Sequence, residues 1–307
     1  MKKDFIAISD YSPEELLGML SLAIRLKTER ETGGNIPILK GKVLAMVFQK
    51  PSLRTRISFD MAMRHLGGDA LYLSPAEIGL GQRESIADVA RVLSGYVDVI
   101  MGRVFNHQHI IELARWADIP VINGLSDYNH PCQAMADALT LLEHFGYLKG
   151  LNVTYVGDGN NVAVSLLHIC SKLGANFSIA CPEGYEISPI ALEAGKGFAS
   201  SSGSCIHQSS NPHEAVKGAD VIYTDTWTSM GQEAETKKRE NVFPPYQVNS
   251  VLVSEAKPGV VVLHCLPAHR GFEITDEVAD GPHSLLFPQA ENRLHAQKAI
   301  LVELLGV

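Results

Sequence analysis

VLAMVFQKPSLRTRISFDMAMRHLGGDALYL, residues 43–73, sets the reading of the whole chain. Its first six residues are apolar throughout, which marks a strand buried on both faces. From 54 to 67 the apolar positions recur at helical spacing, and Gly67 and Gly68 close the run. ALYL (70–73) is apolar again. A buried strand, a helix and a second strand in such short compass make a parallel βαβ unit.

The alternation continues outward. SIADVARVLSGY (85–96) predicts a helix, VDVIM (97–101) a strand, HIIELARWA (109–117) a helix and PVIN (120–123) a strand, with a further helix over 131–146. Residues 146–150 mark a domain boundary, after which the pattern restarts. LNVTYVGD (151–158), NFSIACP (176–182), ADVIYTD (219–225) and VVLHCLP (261–267) predict strands, and VAVSLLHICSKLG (162–174) predicts a helix. ENRLHAQKAILVELL (291–305) forms a last helix that could pack on either half. The expected fold class is α/β: two doubly wound domains, 1–147 and 148–307, each with a central parallel sheet flanked by helices. The last helix is free to return to the first domain.

Composition narrows the function. The 307 residues are 46% hydrophobic and 20% charged, as in globular proteins, with a formal charge of −8. That charge argues against a nucleic-acid partner, though a few local arginines still suffice for a small anion. No apolar run is long enough for a membrane span, and the polar N-terminus lacks the pattern of a secretory signal. Cys132, Cys170, Cys181, Cys205 and Cys265 are scattered, odd in number and without a CxxC pair. This fits a reducing cytoplasm better than a disulfide framework or a zinc site.

In open parallel sheets ligands gather at the carboxyl ends of strands. After VLAMVF, the residues Ser52-Leu53-Arg54-Thr55-Arg56 run straight into a helix. A helix start suits a phosphate, and hydroxyls and a forked guanidinium strengthen it; the same residues also suit an ordinary Ser N-cap. Arg103 follows Gly102 at another buried strand end. His130-Pro131-Cys132-Gln133 opens a helix, with His130 and Gln133 about one turn apart.

The second half offers Gly157-Asp158-Gly159-Asn160-Asn161 between strand and helix. It matches a dinucleotide fingerprint only partly, because Val162 stands where the third glycine belongs. Asn160 and Asn161 suit a zwitterion's carboxylate and ammonium better. Asp225 ends a strand ahead of Thr226-Trp227-Thr228-Ser229-Met230-Gly231, and it suits either a cationic amine or a helix cap. His264-Cys265-Leu266-Pro267 ends another strand; its cysteine is a small hydrophobe or a reactive thiol. Arg293 is one more candidate anion ligand.

Taken in order, these motifs resemble the ornithine carbamoyltransferase family over nearly the whole chain. Ser52 to Thr55 and His130-Pro131-Cys132-Gln133 are shared with the wider aspartate/ornithine carbamoyltransferase superfamily. Asp225 with Ser229-Met230-Gly231, and His264-Cys265-Leu266-Pro267, resemble the ornithine branch. The resemblance implies that Ser52, Leu53, Arg54, Thr55 and Arg103 bind the phosphate of carbamoyl phosphate. It implies that His130, Pro131, Cys132, Gln133, Cys265, Leu266 and Arg293 surround the carbamoyl group. Asn161, Asp225, Ser229 and Met230 would hold L-ornithine, and Cys265, Arg103 and His130 would be catalytic. Leu53 departs from the threonine of many members, and Gly79 stands where some relatives have a glutamine. A homotrimer is implied as well.

The chemistry needs a neutral amine, an activated carbonyl and a stabilised phosphate leaving group. It needs no cofactor, no metal and no covalent enzyme intermediate, and the scattered histidines lack ligand spacing. Rival readings are transfer to putrescine, acetylornithine or aspartate, a nicotinamide-dependent dehydrogenase, and a non-catalytic phosphate-binding protein.

Overall fold

The computed structural model describes residues 2–228 and 231–306. Among them run nine strands: β1 (Val43–Phe48), β2 (Asp69–Leu73), β3 (Val99–Arg103), β4 (Val121–Leu125), β5 (Asn152–Val156), β6 (Asn176–Ala180), β7 (Ile206–Ser209), β8 (Val221–Thr224) and β9 (Val261–His264). They form two sheets, one in the order β2-β1-β3-β4 and the other β7-β6-β5-β8-β9. Every pairing within the sheets is parallel. The fold is therefore α/β with two helix-flanked parallel sheets, as the apolar strands and intervening helices require.

The chain divides into two compact units, Met1–Ala136 with Asn292–Val307, and Asp137–Glu291. The contact division falls at Ala136, ahead of the sequence boundary at 146–150, and the last helix, which starts at Leu286 rather than 291, joins the first unit from Asn292 onward. Helix Pro131–Phe145 runs unbroken across the division, so no loop composition marks it. Fully buried Asp137 belongs with the second unit, where its carboxylate accepts from Gln289 at 2.7 Å.

In the first unit Ala45, Val47, Ile100 and Val121 of the sheet pack with Ile110 and Leu113 of helix His107–Trp116. In the second, Val156, Ile222 and Val262 pack with Trp227, Phe243 and Tyr246. Helix Asn161–Leu173 buries every residue from Val162 to Ser171, as an apolar helix inside a covered sheet must. Asn160 caps it by accepting from the amides of Val162 and Ala163, and Gly174 closes it at φ 79°, a conformation that costs glycine no Cβ clash.

Some elements escaped the sequence reading. Helix Pro13–Thr32 has a full capping box from Ser12 and Glu15, a signal the strand alternation drew attention away from. Strand β7 reads IHQS and lies at a sheet edge with its middle residues exposed, so it carries no apolar pattern.

Gly159 sits where a Cβ would lie 2.4 Å from the backbone of Glu186 and Ile187. Backbone at that distance has no rotamer by which to yield. Gly159→Ala should cost about 2–3 kcal/mol of stability, seen as a lower urea midpoint with an unchanged m-value. An unshifted midpoint would show that the turn can relax.

Candidate active site

In each sheet the chain reverses its winding direction at one place: between β1 and β3 in the first, and between β5 and β8 in the second. Loops leaving adjacent strands there diverge to opposite faces and open a crevice at the carboxyl ends. The candidate residues gather at these two places.

In the first unit, Ser52 caps helix Leu53–His65, its Oγ accepting from the Thr55 amide at 3.4 Å. Thr55 is fully buried, and its hydroxyl oxygen accepts from Arg293 Nη2 at 2.9 Å, Arg103 Nη1 at 3.3 Å and Ser52 Oγ at 3.2 Å. Two guanidinium groups thus converge beside the positive end of a helix. An anion with several acceptor oxygens would offset the repulsion between them, which suits a phosphate.

His130 lies 3% exposed near the same two arginines. Burial, then Arg293 and Arg103, hold its ring well below the ordinary histidine range. It is therefore neutral at physiological pH and serves as a hydrogen-bonding imidazole rather than a cation. Gln133 is buried one turn along the helix that starts at Pro131. Two expected site residues turn elsewhere. The side chain of Leu53 is 70% exposed, leaving its backbone amide as the useful group. Cys132 faces the core, its thiol donating to the Asn123 carbonyl at 3.3 Å, and burial pushes it up to about 12, so it stays an uncharged thiol.

In the second unit the charge is of opposite sign. The Asp225 carboxylate accepts from Asn160 Nδ2 at 2.8 Å, from the Thr226 amide at 2.8 Å and from the Cys265 thiol at 3.0 Å. Asp225 and Cys265 are 7% and 8% exposed, so this pair meets solvent only at its rim. The Cys265 sulfur and the Asp225 carboxylate thus lie side by side at 3.0 Å, where a cationic amine would meet both. Asn161 is the first residue of the helix capped by Asn160. Ser229 and Met230 lie outside the described residues.

His264, fully buried, orders the strand end. Its Nδ1 accepts from the Leu266 amide at 2.9 Å, which leaves Nε2 to carry the proton and donate to Glu273 at 3.0 Å. This ring holds Leu266 at φ 55°, a left-handed conformation that leucine avoids unless its surroundings enforce it. Gln289 adds a second brace, accepting from the His264 amide and donating to Asp137 and the Tyr223 hydroxyl. Glu273 and Gln289 are functional supports that no sequence motif announces.

Asp225, His264 and Cys265 each offer a ligand atom within 4.8 Å of one another. They do not fit a metal ion, because both ring nitrogens of His264 are already engaged and two donors do not make a closed site.

The carbamoyl-phosphate binding domain of aspartate/ornithine carbamoyltransferases matches residues 3–143, and the Asp/Orn binding domain of the same enzymes matches residues 149–304. The chain belongs to the aspartate/ornithine carbamoyltransferase family. Within this family it is 53% identical to the ornithine carbamoyltransferase of Pyrococcus abyssi over 304 residues, covering 99% of this chain and 96% of that one. It is 55% identical to that of Bacillus subtilis over 303 residues, covering 99% and 94%. The solved ornithine carbamoyltransferase of Pyrococcus furiosus superposes with a TM-score of 0.97 at 52% identity, covering 99% of this chain and 97% of that one. That of Thermus thermophilus gives 0.90 at 46% identity, covering 99% of each.

Thr55→Val keeps the shape but removes the oxygen on which both arginines converge. Inorganic phosphate should bind the variant roughly ten- to a hundredfold more weakly by calorimetry. Equal affinity would remove Thr55 from the anion site.

Proposed function

We propose that this protein transfers the carbamoyl group of carbamoyl phosphate to the δ-amine of L-ornithine, releasing L-citrulline and phosphate in arginine metabolism. The observation that carries the reading is the pairing of Asp225 with Cys265: a carboxylate with a thiol beside it suits an aliphatic ammonium. The full-length likeness to ornithine carbamoyltransferases supports it.

In this reading the Ser52–Thr55 helix start, Arg103 and Arg293 hold the phosphate, with Arg54 adding its charge from the same turn. His130 and Gln133 donate to the carbamoyl oxygen, while the backbone of Pro131 and Cys132 closes that side. Leu266, fixed by His264, offers its carbonyl to the carbamoyl NH2. Asn161, Ser229 and Met230 hold the ornithine backbone, and Asp225 with Cys265 receives the side-chain ammonium.

An alkyl ammonium has a pKa near ~10.4, so it must lose a proton before its nitrogen can attack. The amine nitrogen then forms a bond to the carbamoyl carbon. Negative charge grows on the carbonyl and phosphate oxygens, where Arg103, Arg293 and neutral His130 stabilise it. The C–O bond to phosphate breaks, and phosphate leaves with the electron pair and takes up the proton that the attacking nitrogen, made cationic by the new bond, must lose. Cys265 positions the amine and forms no covalent bond to the carbamoyl group. Among rival acceptors, aspartate would set its own carboxylates against Asp225, which disfavours it.

The finer parts of the reading are a homotrimer and a cytoplasmic setting. They rest on the resemblance and on five cysteines of which none is in a disulfide. No helix among the described residues is long and apolar enough to cross a membrane.

Citrulline formation from the two substrates tests the proposal, and no product above background refutes it. Cys265→Ser should lower kcat/KM for ornithine roughly ten- to a hundredfold and alter its pH profile. It should leave phosphate affinity unchanged. An unaltered rate and profile would end the role assigned to Cys265.

A further inference from the structure

Arg239 lies on the short helix Thr236–Val242, which follows no strand directly, yet only 4% of it is exposed. Its Nη1 donates to Asp158 Oδ2 at 2.7 Å and to the Trp227 carbonyl at 2.7 Å, and its Nε donates to Glu235 at 3.0 Å. The guanidinium stands 4.7 Å from the ring centre of Tyr185 and 5.8 Å from that of Phe243. The Trp227 ring stacks on the same Phe243. One cation therefore ties together the turn after β5, the start of the loop after β8, and a residue beyond that loop.

Stability alone is a weak reason for such an arrangement. A buried ion pair gains little over well-packed apolar side chains, because both charges must leave water. Its distinctive product is register: a planar fork fixes the direction of each acceptor it meets. The acceptors here flank the segments assigned to ornithine. Asp158 precedes Asn160 and Asn161, Trp227 follows Asp225, and residues 228–234 lie between Trp227 and Glu235.

We propose that Arg239 is a positioning residue that latches the loop after β8 to the turn after β5 and so sets the affinity for the acceptor amino acid. The inference rests on the ornithine reading given above. Asp158 supplies an independent handle on the latch. Burial pushes its carboxyl up to about 6 against the pull of Arg239, with Asp225 and Glu235 raising it further; Tyr155 and Cys181 are the other titratable groups that feel its charge. A raised pKa means the carboxylate is present above pH 6 and becomes neutral as the pH falls through it, which loosens the link.

The test compares the wild type with Arg239→Gln, Arg239→Lys and Asp158→Asn, and with the double variant Asp158→Asn, Arg239→Gln. The double variant keeps a neutral hydrogen-bonded pair should the single glutamine fail to fold. At saturating carbamoyl phosphate, Arg239→Gln should raise the KM for ornithine at least ~10-fold, while calorimetric affinity for inorganic phosphate stays within about twofold. Lysine should restore part of the loss, since it keeps the charge but not the fork. The ratio of Asp158→Asn to wild-type kcat/KM should rise as the pH falls through 6, a ratio from which ornithine's own protonation cancels. An unchanged ornithine KM overturns the latch, and so does a KM that rises only in step with weaker phosphate binding. Should the wild type form no citrulline, the functional reading fails, and amide exchange in the peptide 226–235 then decides the latch. Faster exchange there in Arg239→Gln, and nowhere else, upholds it; unchanged exchange removes it.

Discussion

Thr55 Oγ1 takes one hydrogen bond from Arg103 and another from Arg293, residues 48 and 238 positions away along the chain. The two guanidinium groups repel each other, and burial of the hydroxyl weakens the screening that water would provide. Such a cluster persists only because three elements hold it from different directions: the end of β3, the start of helix Leu53–His65, and the last helix. Packing of Ala45, Val47 and Ile100 against Ile110 and Leu113 fixes the first, and the buried Phe59, Ala62 and Met63 anchor the second. The return of residues 292–305 to the first unit fixes the third. Burial holds the His130 ring below the ordinary histidine range, and the nearby Arg293 and Arg103 lower it further.

The second unit solves the opposite problem with the same architecture. Asp225 is a buried anion satisfied by Asn160, Thr226 and Cys265, and Asp158 is another, satisfied by Arg239. His264 and Glu273 hold the adjoining backbone where Leu266 must adopt an unfavourable φ. Each sheet thus carries, at its own winding reversal, a polar cluster of one sign. The formal charge of −8 conceals both, which is why bulk charge could exclude a nucleic acid but say nothing about a phosphate.

Legibility in the sequence tracked hydrophobic pattern and failed where pattern was absent. Strand β1 was read to the residue, and Arg103 was recognised at its strand end, because an apolar run stopping at a charge is a local event. Strand β7 was invisible because an edge strand with exposed middle residues needs no apolar code. The contact division between units falls inside a continuous helix with buried residues on both sides, where no loop composition could mark it. Cys132 was grouped with its neighbours by proximity in sequence. Its thiol turns to the core, since adjacent helical positions point about 100° apart.

By itself the sequence determined the fold class, the strand ends to inspect, and the residue types on offer at each. These are short-range properties, set by periodicity, caps and the chemistry of side chains next to one another. Only the tertiary structure decided which of those strand ends share a crevice, because strand order is a property of the sheet and not of any strand. It alone made Arg293 a partner of Thr55, set Cys265 beside Asp225, and placed Arg239, Glu273 and Gln289 behind the site. Each of those outcomes depends on a contact between residues far apart in the chain, and no local pattern encodes which distant side chain will supply the missing hydrogen bond.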